Sequence, residues 1–425
     1  MTDDSGSNPI CASLFEHYSQ VRKQTEALCQ PLLIEDYVIQ SMEDVSPPKW
    51  HIAHVSWFFE TFILQPFVPD YRPFDARFAS LFNSYYNGIG KPFPRPRRGL
   101  LSRPCVAEIY RYRAYVDQYM EMLTAGLEEH PDAAQIQDLI TLGLHHEQQH
   151  QELLLTDIKH IYAQNPLNPA YRENITDRSR QTAAALQWRA FPEAEIAIGH
   201  QGNGFHFDNE APRHRVLIAA FSLANRAVTN GEYLQFIDAG GYENPLLWLS
   251  DGWTASQKAS WQAPLYWRKI DGHWHCMTLQ GLLPLDKDQP VCHVSYYEAN
   301  AFATWAGKRL PTEREWEYSA DGSRIAPGNF METGCFHPRP AAGDGMLQQF
   351  GDVWEWTQSP YTPYPGYRAA AGAIGEYNGK FMCNQMVLRG GSCATPAGHI
   401  RKTYRNFFYP HNRWQFMGFR LADDR

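Results

Sequence analysis

Residues 132–162 read DAAQIQDLITLGLHHEQQHQELLLTDIKHIY, and no proline interrupts them. Leu139, Leu142, His146, His150 and Leu153 follow one another at spacings of three and four. That is the step of one α-helix face, so the stretch predicts a long helix with this row turned inward. At about 100° per residue, positions four apart are offset by only roughly 40°. His146 and His150 therefore project from the same face, which is how a helix offers two imidazoles to one metal ion. The competing reading makes them polar residues of a helical core, hydrogen-bonded to neighbours. Two imidazoles on an otherwise leucine row are costly to bury without a partner, and this weighs towards metal.

Working outward, residues 49–64 (KWHIAHVSWFFETFIL) place Trp50, His54, Trp57, Phe58 and Thr61 on one face, just after Ser46-Pro47-Pro48. Serine followed by proline predicts a helix start there. Residues 11–30 and 105–129 are two further helix candidates, and four helices of this kind predict an antiparallel bundle. The stretch 163–185 is polar and broken by prolines. We read 1–165 as the bundle, 166–185 as a linker and 186–425 as a second domain. The second domain holds most of the 30 glycines and short strand-like runs such as Val387-Leu388-Arg389. Its clearest helix is capped by Ser295 and ends at Gly307. The fold class is therefore α plus α+β, the second part irregular and rich in loops.

Composition bounds the function. The 425 residues predict two or three domains and a core that needs no staples. A net charge of −8 counts against a nucleic-acid partner, which would favour a basic chain. No apolar run approaches the roughly 20 residues that span a bilayer, and the polar start Met-Thr-Asp-Asp-Ser carries no secretory pattern. The chain reads as soluble and cytoplasmic, with small-molecule partners, no nucleic acid and no membrane. A homo-oligomer is left open. Its 8 cysteines are scattered without a CxxC pair, so they read as free thiols.

His146-Glu147-Gln148-Gln149-His150 satisfies H-E-x-x-H, the zinc-peptidase pattern. The extended form fails, because the sequence continues Gln-Glu-Leu-Leu-Leu-Thr without the required glycine and histidine. Glu173, a more distant carboxylate, falls in the linker. Glu152 would complete a two-histidine, one-carboxylate triad. It sits two residues past His150, roughly 200° around the helix and on the wrong face. A histidine from the neighbouring helix fits better, and at this point His51 and His54 are both open, His54 sharing a row with Trp50 and Trp57.

Several further stretches complete the pattern: SPPKWHIAHVSWFFETF, LFNSYYNGIG, PRPRRGLLSRP and LGLHHEQQHQELLLTDIKH in the first part, then RGGSCATP and HIRKTYRNFFYPHNRWQF. In this order, over nearly the whole chain, they resemble the ergothioneine-biosynthesis sulfoxide synthases, or hercynine oxygenases. The resemblance implies a DinB-like four-helix bundle that binds iron. It also implies a substrate-binding domain similar to formylglycine-generating enzyme, with a C-type-lectin-like fold. VCHVSYYEANAFATWAGKRLPTEREWEY, GDVWEW, LRGGS and GFRLA are marks of that second domain. The resemblance implies Fe(2+) held by His54, His146 and His150. The implied reaction joins the thiol sulfur of γ-glutamylcysteine or cysteine to imidazole C2 of hercynine, consuming dioxygen and giving a sulfoxide. Neutral imidazoles leave positions open for such partners, and a metal that gathers both removes much of the entropic barrier.

Dioxygen reduction also calls for a proton donor. Tyr85 and Tyr86 are suitable phenols, and the paired tyrosines are similar to those of one subgroup of the family. The resemblance assigns Arg95 and Arg98 to the carboxylates of the thiol substrate, a task that suits guanidinium forks. It assigns Asn406, Phe407 and Phe408 to hercynine, whose trimethylammonium group is best held by aromatic faces. Gln149, between the two helix ligands, is placed to hydrogen-bond the substrate imidazole, and Trp356 and Trp414 are further aromatic candidates. Two rival activities share parts of this pattern. One is a selenoneine synthase, which would use a selenosugar and need no carboxylate clamp; the other is a zinc-dependent low-molecular-weight thiol transferase. Cys393 resembles one copper-binding cysteine of formylglycine-generating enzymes, but RKTYRNFF lacks the second, so Cys393 receives no role.

Overall fold

The computed structural model describes residues 9–173, 181–320 and 328–424. The polar N-terminal residues 1–8 and residues 174–180 of the expected linker lie outside the described residues. The chain divides into two compact units, one running to Ile161 with a short piece at Gly372–Ile374, the other holding the rest from Tyr162.

The first unit has four long helices: α1 (Pro9–Cys29), α2 (Pro48–Phe59), α3 (Val106–Ala125) and α4 (Ala133–Gln164). α2 starts with proline in its first turn, where the missing N–H costs nothing. Ser46 does not cap it, because its hydroxyl accepts from Arg98 and its N–H donates to Asp157. Every residue of α2 is buried, so this helix is central and surrounded on all sides. It continues into a π-helical turn, Glu60–Leu64, an irregularity often found at functional sites. α4 packs against α2 at Gly143, where a Cβ would stand 2.6 Å from the Phe59 ring. That glycine allows close approach of the two helices one turn before His146.

The deeply buried row of α4 is not the expected one. Leu139, Leu142 and Leu153 are only half-buried. Ile136, Ile140, Leu144, Glu147, Gln151, Leu154 and Ile158 form the innermost side instead. The histidines thus flank the core side, and a glutamate occupies its centre.

The second unit is built on small sheets. Its strands are β1 (Trp188–Phe191), β2 (Ala194–Ile198), β3 (His214–Ile218), β4 (Phe221–Ala224), β5 (Trp267–Ile270), β6 (His273–Thr278), β7 (Gly281–Pro284), β8 (Trp354–Pro360), β9 (Met386–Arg389), β10 (Asn406–Phe408), β11 (Met417–Gly418) and β12 (Ala422–Asp424). The largest sheet runs β10-β9-β8-β11, with β11 parallel to β8 and the other pairs antiparallel. Ser295 caps the helix Tyr296–Trp305 in a full capping box with Glu298, as expected. The same device, a threonine followed three residues later by glutamate, starts two helices the sequence reading passed over, Asn230–Asp238 and Glu313–Ser319. Buried ion pairs replace part of the apolar core: Arg420 with Glu355, Arg389 with Glu317 and Arg405 with Glu313.

Candidate metal centre

Three imidazoles converge inside the helical unit. His54 from α2 and His146 and His150 from α4 bring one ring nitrogen each to within 4.8 Å of the others. Among the described residues this is the group of histidine, cysteine or carboxylate side chains placed to share an ion. Glu152 and Glu173 are not part of it.

Each ring is held by a different local device. His54 lies between two indoles, with Trp50 at 4.5 Å and 15° and Trp57 at 5.4 Å and 13°. The row Trp50, His54, Trp57 read from the sequence is this stack. His54 Nδ1 lies 2.6 Å from the carbonyl oxygen of Phe82. A carbonyl only accepts, so Nδ1 carries the proton and Nε2 presents a lone pair. That Nε2 is buried without a hydrogen-bond partner. His146 packs against Phe58 at 4.7 Å, and neither of its ring nitrogens has a partner. His150 Nδ1 stands 2.9 Å from Nδ1 of His51, and His51 Nε2 stands 3.0 Å from Asp157 Oδ2.

The electrostatics match ligand duty. Burial lowers the pKa of His54 well below its ordinary value, with a further push from His146. Burial lowers His146 to about 4. Burial, then His146 and His54, lower His150 well below its ordinary value. At neutral pH all three are uncharged, the state in which imidazole binds metal. A buried polar atom left unpaired costs about 1–3 kcal/mol, so unpartnered nitrogens on two converging rings mark a site that a ligand completes. An all-imidazole donor set suits zinc, copper, iron or nickel, and three protein ligands leave positions for other molecules.

Glu147 takes no part. Its carboxylate faces the opposite side and is fully buried. It accepts from Arg22 at 2.9 Å, Arg113 at 2.7 Å and Thr25 at 2.6 Å. Burial raises its pKa, but Arg113 and Arg22 outweigh that and hold it at about 2. A carboxylate so saturated cannot serve as the general base that H-E-x-x-H would require. The peptidase reading fails on geometry as well as on sequence.

The turn that follows Phe82 gathers other expected residues. Asn83 is fully buried and braces the turn through Tyr86 O, Gly90 O and Tyr86 N. Tyr86 is buried against Trp57 at 5.6 Å and Phe62 at 5.2 Å, and the half-buried Tyr85 ring lies tilted at 39° beside it at 5.1 Å. Ser84 Oγ accepts from Arg98 at 3.0 Å. Arg98 is buried, lies 3.3 Å over the Trp50 ring and donates to Ser46 at 2.8 Å, with Nε unpartnered. Burial, then the neighbouring Arg95, lower its pKa well below the usual value. Arg95 itself is exposed, with its guanidinium on the carbonyl of Asp44. Neither arginine has a salt-bridge carboxylate among the described residues. Gln149 is half-buried on α4.

Asn406, Phe407 and Phe408 form the edge strand β10 of the second unit and are half-buried. Phe407 stacks on Tyr361 at 4.1 Å and 11°, and Phe408 meets Trp414 edge-on at 5.7 Å. Trp356 is core: fully buried, it donates to the carbonyl of Val294.

Comparison with known proteins fixes the family. Residues 190–425 match the sulfatase-modifying factor enzyme 1-like domain, and residues 17–154 match the DinB superfamily. Hercynine oxygenase from Mycobacterium tuberculosis is 31% identical over 405 residues, covering 89% of this chain and 91% of that protein. The chain belongs to the hercynine oxygenase family. The family's enzyme from Mycolicibacterium thermoresistibile is 30% identical over 89% of this chain and 88% of its own. Ergothioneine biosynthesis protein 1 of Schizosaccharomyces pombe is 28% identical over 59% of this chain and 35% of that protein. As a hercynine oxygenase family member the protein is an oxygenase, an α-helical DinB-type unit joined to a sulfatase-modifying-factor-type α+β domain. Among the described residues no helix is long and apolar enough to cross a membrane.

His51 and Asp157 were not marked as a pair by sequence reasoning. Asp157 lies seven residues past His150 on α4, two turns on and on the same face, a spacing signal that was not read, whereas His51 on α2 meets both only through tertiary packing. Arg22 and Arg113 were missed for the same reason, since each meets Glu147 only through tertiary packing.

Proposed function

We propose that this protein is an iron(II)- and dioxygen-dependent sulfoxide synthase of ergothioneine biosynthesis. In the balanced reaction, hercynine C2–H and the thiol S–H are both lost and a C–S bond forms. One oxygen atom of O₂ enters the sulfoxide and the other leaves as water. The observation that carries this reading is the convergence of His54, His146 and His150 as neutral imidazoles, in a chain of the hercynine oxygenase family. When bound there, ferrous iron would gather the thiolate and dioxygen and supply the electrons that start oxygen reduction.

The chain's own residues do the rest. The indole stack and the Phe82 carbonyl fix His54 before any ligand arrives, which keeps the cost of assembling the site low. Arg98, buried without a carboxylate, holds the carboxylate of cysteine or γ-glutamylcysteine, and Arg95 adds charge at the exposed side. Tyr85 and Tyr86 supply the phenolic proton that oxygen reduction requires. Gln149 is the group of the helical unit assigned to the hercynine imidazole, and within the second unit Asn406, Phe407 and Phe408 offer the aromatic faces that suit a trimethylammonium group.

The test is anaerobic loading with Fe(II), addition of hercynine with each thiol in turn, then air, with products read by mass spectrometry. The expected result is a coupled sulfoxide from one thiol by preference, absent with zinc or in His54→Ala. Product formation with zinc, or oxidised thiol alone, would overturn the reading and move the zinc-transferase or selenosugar activities forward.

A further inference from the structure

His51 is as buried as the three converging histidines, yet it is the one whose two ring nitrogens are both engaged. Its partners run in a line. Asp157 Oδ2, itself fixed by the N–H of Ser46 at 2.8 Å, lies 3.0 Å from His51 Nε2. His51 Nδ1 lies 2.9 Å from His150 Nδ1. A carboxylate oxygen accepts, so it takes the proton of His51 Nε2. When His51 is neutral, Nδ1 then has only a lone pair, and the single proton between the two histidines belongs to His150. With its proton on Nδ1, His150 has its lone pair on Nε2. The direction of the whole chain is set from the aspartate end.

We infer that Asp157 and His51 form a positioning relay that fixes the tautomer and ring orientation of His150 and so prepares it as a metal ligand. The inference rests on the metal reading above. Without Asp157, His51 can carry its proton on Nδ1 and turn it towards His150. The His150 proton would then move to Nε2, the nitrogen meant for the metal. Outer partners of this kind are commonly worth about 10–100-fold in metal affinity. His54 has a simpler arrangement, a backbone carbonyl, and His146 has none. The relay therefore acts on one ligand of three.

The test uses the full chain and Co(II) as the probe, its affinity read from the visible absorption of the bound ion. His51→Phe keeps a ring in the space but removes the acceptor, and should weaken Co(II) about 10–100-fold. Asp157→Ala should weaken it through the same chain, so the double variant should be no weaker than His51→Phe alone. Asp157→Asn keeps an oxygen acceptor and should restore most of the loss seen in Asp157→Ala, which a purely structural role for the charge would not allow. In the proton spectrum of the Co(II) form, His51→Phe should lose one slowly exchanging ring N–H signal, that of His150, and keep that of His54. Affinities within twofold of the parent in His51→Phe, or additive losses in the double variant, would overturn the relay. If His51→Phe does not fold, the Asp157→Ala and Asp157→Asn pair decides alone. His54→Ala separates the two levels: if it binds Co(II) like the parent, the three-histidine reading fails and the relay with it. If it does not bind while His51→Phe does so normally, only the relay fails.

Discussion

Two adjacent residues of one helix, His146 and Glu147, are both buried and polar, yet their surroundings are opposite. Glu147 carries a full charge and is saturated by Arg22, Arg113 and Thr25. His146 is neutral and neither ring nitrogen has a partner. The saturated face is the bundle's internal brace, and the unsatisfied face is where an outside ligand completes the structure. Burial alone does not distinguish function from scaffold; the hydrogen-bond inventory does.

The largest effect should follow from breaking the unsatisfied face. His146→Ala should lower oxygenase activity to background and abolish tight Fe(II) binding, while circular dichroism remains that of the parent. Next comes the saturated face. Glu147→Ala takes the buried carboxylate from two buried guanidiniums, leaving Arg22 only Asp117 and Arg113 only Glu26, and should cost about 3–5 kcal/mol in denaturant unfolding. Metal bound per folded molecule should stay at the parent level. Loss of metal binding in folded Glu147→Ala would break the contrast.

Acid should separate the two faces in the metal-free protein. His146 falls from an ordinary 6.5 to about 4, so between those values the unfolded chain binds a proton that the folded one refuses. Stability present above about 6.5 should therefore be lost as pH falls towards 4, by about 3 kcal/mol from this residue. Glu147 falls from 4.5 to about 2, so its contribution holds down to about 4.5 and is lost only below that. Unfolding followed over pH 7 to 3 should show the first loss reduced in His146→Phe, the remainder belonging to His54 and His150, and fully retained in Glu147→Gln. A smaller effect concerns the approach of the two helices. Gly143→Ala puts a Cβ where Phe59 stands at 2.6 Å and should cost about 1–3 kcal/mol, read as a lower Tm.

Much of this was legible in the residues. The three-and-four spacing and the proline punctuation reveal the helices, and the offset of His146 from His150 reveals a shared face. Spacing could not separate His51 from His54, because α2 is buried all round and offers no polar face to read. The structure gathers His54 with the other two and turns His51 back onto His150. The leucine row misled for a related reason. The innermost position of α4 belongs to a glutamate whose partners lie on α1 and α3, and no local pattern announces a long-range ion pair. Ser46 looked like a cap and is instead a bridge between Arg98 and Asp157. In the second unit, two helices were passed over although each opens with the capping box that was recognised at Ser295.

The central contrast is tested most directly by X-ray absorption on the iron-loaded protein, recorded for the parent and for Glu147→Gln. The account predicts scattering from three imidazole rings in both, with identical spectra. Fewer imidazoles in the parent, or a spectrum that changes when Glu147 loses its charge, would contradict it.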